Sequence, residues 1–173
     1  MHVSLTSRHA RRLLPGGSLA LVAAAPVAIG GIIGLKLGIP TPLIMVPAIT
    51  FGVVAVTSPA LYIASAASGD GLTLGEVARS LRAALSAFGV ALAGLVLPAA
   101  FLSLSSVERG TTVGIASAAI GGAAILAAAR LAMELGSVRP MTGMRIVVFA
   151  CWVIATLGIA ARLWVSFSGQ VLS

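Results

Sequence analysis

Residues 83–102 read AALSAFGVALAGLVLPAAFL, twenty consecutive positions without a charged side chain. At 1.5 Å per residue a helix of that length spans about 30 Å, the thickness of a bilayer's hydrocarbon core. Apolar runs of this kind mark transmembrane helices. Similar runs lie on both sides, at 18–37, 43–65, 111–129 and 146–167. The whole chain of 173 residues is 59% hydrophobic and only 9% charged, with a mean hydropathy of +1.13. Soluble domains carry roughly a quarter charged residues, because their surface must face water. The expected fold is therefore an all-α, polytopic transmembrane helical bundle of about five spans. A single transmembrane domain, 18–173, follows a basic cytoplasmic tail at 1–17.

The segments between the runs set the details. Pro15-Gly16-Gly17 ends the tail, and Gly38-Ile-Pro-Thr-Pro42 makes a tight turn, since two prolines and a glycine do not continue a helix. Thr73-Leu-Gly-Glu76 fits a capping box, in which side chains satisfy the free N–H groups of a helix start. Beyond it Leu74, Val77, Leu81, Leu85 and Phe88 recur at helical spacing, with Glu76, Arg79, Arg82 and Ser86 opposite. A helix from Leu72 to Ser103 would measure roughly 48 Å, well beyond the core. The spacing therefore predicts a short interfacial amphipathic helix at 73–82, then a separate span at 83–102 kinked near Pro98. Pro26, Pro47 and Pro59 are expected to be tolerated through kinks and neighbouring helices.

Net charge is +7, but the positive residues sit in short segments between spans, as the positive-inside rule requires of cytoplasmic loops. They argue for no nucleic-acid partner. With the N-terminus inside, one side holds Arg8, Arg11, Arg12, Arg79, Arg82, Arg130, Arg139 and Arg145. The other holds only Lys36, Arg109 and Arg162. That asymmetry places the N-terminus in the cytoplasm and the C-terminus across a membrane, read as a bacterial inner membrane. The first span is read as uncleaved, because Pro26 directly follows the small residues of a signal-like site.

Chemistry is sparse in the spans. Asp70, Glu76, Glu108 and Glu134 all fall in loops or at helix ends, so no carboxylate is available near mid-membrane for proton or cation coupling. His2 and His9 lie in the tail, Cys151 is the single cysteine, and no serine has a histidine or aspartate nearby to activate it. The expectation is no catalytic residue, no metal site and no cofactor. Arg162 in the last span, Arg130 with Glu134 at i+4, Lys36, and the pair Arg79 and Arg82 are candidate interfacial charges. Arg162 is the foremost ionisable residue within a span, read as an interfacial anchor beside Trp164 or, alternatively, as a functional charge.

Small residues are the remaining signal. Gly30 and Gly34 form a Gly-x-x-x-Gly step, Gly89 and Gly94 thin the third span, and Gly114, Ala118 and Gly122 recur every four positions in the fourth. Such faces let helices approach closely where no hydrophobic effect drives association. They serve packing within the chain or against another subunit.

Pro59-Ala-Leu-Tyr62, the polar turn and basic helix from Asp70 to Arg82, and Pro98 in the third span resemble bacterial Yip-type (Rab-GTPase-interacting) membrane proteins over residues 43–105. The resemblance implies five spans, a cytoplasmic N-terminus and a scaffold or membrane-shaping role. The Asp-Leu-Tyr-Gly-Pro signature of the eukaryotic branch is missing, so it implies no GTPase partner. The leading expectation is a non-catalytic accessory or scaffold subunit, with the lipid bilayer and other membrane subunits or a second copy as partners. The alternative is a small channel or carrier built on proline-broken helices, which calls for a polar cavity lined by Thr50, Thr57, Ser58 and Tyr62.

Overall fold

The computed structural model describes residues 17–67, 72–138 and 142–172, and all five of its elements are α-helices. They are α1 (Gly17–Leu37), α2 (Thr41–Ala67), α3 (Leu74–Ser105), α4 (Arg109–Val138) and α5 (Gly143–Leu172). Helices α2 to α5 are each long and apolar enough to cross a membrane, while α1 contributes the shorter apolar stretch Val22–Leu37. The expected helical membrane bundle is the fold observed. The N-terminal tail with its three arginines, the turn at 68–71 and residues 139–141 lie outside the described residues.

Local sequence explains where the helices begin and end. Gly38 adopts φ +72°, and Ile39 N–H donates to the Gly34 carbonyl at 3.1 Å. This is the left-handed glycine stop with a six-residue return bond, which needs a residue without Cβ. At the start of α3, Thr73 accepts from Glu76 N–H while the Glu76 carboxylate accepts from Thr73 N–H at 2.8 Å, so the capping box is real. Replacing the exposed Thr73 by alanine is expected to cost about 1 kcal/mol of stability, read from the unfolding midpoint in mixed micelles. An unchanged midpoint would show that the cap does not hold this helix end.

Helix α3 departs from expectation. It is one unbroken helix of 32 residues, not an interfacial helix at 73–82 followed by a separate span. Nothing between Arg79 and Ala83 breaks a helix, so the capped start propagates directly into the apolar run. Leu72, just before α3, and Val77 and Ala84 on its apolar side cluster with Leu61 of α2 and Leu131 and Leu135 of α4. That side is covered by protein there, and Arg79 and Arg82 remain exposed on the other side. Pro26, Pro47, Pro59 and Pro98 likewise lie inside continuous helices and break none of them.

Packing is uneven. Helix α1 lies against α2 and α3, α3 and α4 form the most intimate pair, and α5 leans on α2 while touching α4 at few points. The C-terminal ends of α1 and α3 meet on one side, where Lys36 Nζ donates to the Ser106 carbonyl at 2.5 Å. The cation thus caps a neighbouring helix end, where the free carbonyls and the helix dipole favour positive charge. One core cluster joins Ile29, Ile33, Val46, Leu92 and Phe167; a second, around Leu61, Val77 and Leu131, closes the opposite end.

Candidate functional site

Two tryptophans fix how α5 sits. Trp152 Nε1 donates to the Thr57 carbonyl of α2 at 2.8 Å, and Trp164 Nε1 donates to Ser117 Oγ of α4 at 2.7 Å. Each indole is backed by a phenylalanine three positions away, Phe149 at 6.2 Å and Phe167 at 5.5 Å between ring centroids. An indole N–H at membrane depth has no water to bond, so both bonds position α5 firmly.

Between the two anchors a space opens beside α5. Twelve residues separate the tryptophans, about 18 Å of helix, and along that length α5 presents Thr156, Ala160 and Ala161 while α4 presents Gly121, Ala124 and Ala128. Val153 and Leu157 of α5 and Ile120 and Ile125 of α4 line the same space, and the small residues among them leave it open. The result is a cavity of about 420 Å³ walled by α2, α3, α4 and α5, with Phe88, Val53 and Leu131 on its far sides.

The wall is apolar. Of the hydroxyls it contains, Thr50 Oγ1 donates to the Val46 carbonyl at 2.9 Å. Ser117 Oγ donates to the Val113 carbonyl at 2.7 Å and accepts from Trp164. Thr156 Oγ1 is buried without a hydrogen-bond partner among the described residues. A water in such a space needs two to four polar partners, and this wall does not offer them. This cavity differs from the polar one that the channel alternative calls for. Thr57 and Ser58 turn their hydroxyls onto the carbonyls of Val53 and Val54, at 2.8 and 2.5 Å, and neither they nor Tyr62 line the cavity.

The residues singled out by sequence lie elsewhere. A Cβ on Gly30 would overlap the Pro42 carbonyl, one on Gly34 would come within 2.7 Å of the Ile39 carbonyl oxygen, and one on Gly89 within 2.6 Å of Val22 Cα. These three are spent on packing inside the chain, at the α1–α2 turn and between α1 and α3. Gly94, Gly114 and Gly122 face open space, and Ala118 is exposed. Arg130 pairs with Glu134 at 2.5 Å, as the i+4 spacing predicts. Arg162 is exposed. The cavity itself is not read from the sequence: its one available signal is Trp152 and Trp164 on a common helix face with small residues between them.

Family models, curated proteins and solved structures were each compared with the chain, and none matches.

Proposed function

We propose that this chain is a non-catalytic accessory or scaffold subunit of a larger membrane assembly, which receives a partner's transmembrane helix on the outer ridge of α4. The observation that carries this reading is the different fate of the small-residue steps. Gly30 and Gly34 of α1 and Gly89 of α3 are filled by neighbouring backbone, whereas Gly114, Ala118 and Gly122 recur at four-residue spacing with open space above both glycines. In lipid, helices associate through close van der Waals contact over such ridges, and among the described residues nothing lies within 4 Å of a Cβ at Gly114 or Gly122. The Yip-type resemblance and the arginine asymmetry support the same picture, a scaffold with its N-terminus in the cytoplasm. The channel or carrier alternative finds less support, because Thr50, Thr57 and Ser58 bond carbonyls of their own helix and the cavity wall is apolar.

The test is crosslinking in native membranes, in a Cys151→Ser background, with a cysteine introduced by Ala118→Cys. A crosslinked species heavier by a distinct membrane protein is expected. The same substitution at the exposed Ile154 of α5 serves as the control and should give none. A dimer of the chain with itself would replace the accessory role by self-association. An uncrosslinked monomer that moves a solute alone would sink the proposal.

A further inference from the structure

The cavity and Arg162 together point to a ligand. Arg162 directly follows Ala161 and stands two residues before Trp164, and both of those line the cavity. Its side chain is exposed and makes no ion pair or hydrogen bond among the described residues. The apolar run 146–167 has its midpoint between positions 156 and 157, so Arg162 lies about 8 Å from it along the helix. The hydrocarbon core extends about 15 Å from its midplane. An arginine at that depth reaches the phosphate level by extending its long side chain. There it pairs most favourably with an anion, and a phosphate accepts the guanidinium fork in two parallel bonds.

The cavity beside it has the complementary chemistry. It is long, apolar and walled by four helices, and about 18 Å of it lies along α5. That is close to the depth of one leaflet. Its 420 Å³ is well above the roughly 150 Å³ that accommodates a benzene ring in a dry protein cavity. A hydrocarbon chain fills it without desolvating any polar group. We propose that the space between Trp152 and Trp164 binds one acyl chain of an anionic phospholipid, with Arg162 holding the phosphate of the same molecule. An acidic side chain of a partner would satisfy Arg162 equally, but it would leave the cavity unexplained. The lipid accounts for both features at once.

Trp152 and Trp164 are the only tryptophans in the chain, so its indole fluorescence reports on the cavity walls. The experiment reconstitutes the full chain into phosphatidylcholine vesicles containing a minor fraction of phosphatidylglycerol or phosphatidylcholine with brominated chains. Bromine quenches indole on contact. Phosphatidylglycerol is expected to quench at about fivefold lower mole fraction than phosphatidylcholine, the preference that one arginine supplies near an anionic lipid. Arg162→Gln, an exposed change that leaves the packing intact, should abolish the preference and keep the quenching by both lipids. Ala124→Leu combined with Ala160→Leu fills the cavity, and should lower quenching by either lipid to that of lipid surrounding the bundle. Equal quenching by the two lipids in the parent chain overturns the headgroup assignment. Undiminished quenching in the filled variant, with its helix content retained, overturns the cavity assignment. Neither result bears on crosslinking at Ala118, so this inference and the subunit reading fail separately.

Discussion

Replacing Gly89 by alanine should separate α1 from α3 and lower stability by about 3 kcal/mol, the upper part of the range for overpacking a well-filled contact. The new methyl would meet backbone: Val22 Cα at 2.6 Å and Val22 N at 2.7 Å, with the Val22 side chain at 2.8 Å. A flexible side chain swings aside at small cost, whereas backbone held in a helix moves only with the whole helix. In lipid the association of α1 with α3 rests on close van der Waals contact, so a shift of a few tenths of an ångström forfeits much of the attraction along the interface. Gly94, five positions on in the same helix, is the control. Nothing lies within 4 Å of a Cβ there, and Gly94→Ala is expected to change stability by no more than about 0.5 kcal/mol. Both would be read as shifts in the unfolding midpoint in mixed micelles of a mild detergent and dodecyl sulfate. Equal midpoints for the two variants would place α1 farther from α3 than described, and would remove the contrast between filled and open small-residue steps.

That contrast also marks the limit of what the sequence tells. Gly30 with Gly34, and Gly114 with Gly122, share one kind of spacing, and spacing alone says only that a backbone is able to approach. Which backbone does so depends on the turn after Leu37 and on the order in which the helices pack. Local features are legible because their causes are local: the glycine stop at Gly38, the capping box at Thr73 and the Arg130–Glu134 pair each involve residues within five positions of one another. The separate interfacial helix fails for the opposite reason. A length argument asks a helix to end where the membrane ends, but α3 continues because Leu61, Leu131 and Leu135 cover its apolar face outside the long apolar run. The cavity is the least legible of all. It arises where four helices come together, with small residues of α4 and α5 among its walls between Trp152 and Trp164, and no helix carries that information alone. Trp164 itself reads from sequence as an interfacial anchor, yet its indole bonds to Ser117 within the bundle.

Arg145→Glu is expected to destabilise the chain by about 3 kcal/mol, although local helix rules alone predict the reverse. Arg145 lies in the first turn of α5, where the helix dipole disfavours a cation and favours an anion by about 0.5 kcal/mol. A glutamate there would also complete a capping box with Thr142, whose carbonyl already accepts from Ile146 N–H at 3.0 Å. Together these local gains amount to roughly 1 kcal/mol. Against them stand the surroundings of the side chain. Arg145 is only 6% exposed, and its guanidinium donates to the Leu135 carbonyl at 3.4 Å. Leu135 belongs to the last turn of α4, whose carbonyls lack partners within the helix and whose dipole end is negative. A carboxylate in that place is buried against acceptors, with no hydrogen to offer them, and a buried charge without compensation costs about 3–5 kcal/mol. The cost of burial exceeds the local gains and decides the sign. Arg145→Lys keeps the charge but loses the planar fork, and should fall between parent and glutamate variant. The same micellar unfolding measurement checks the order. Stabilisation by Arg145→Glu would mean that the start of α5 is governed by its own cap, and that Arg145 does not join α5 to the end of α4.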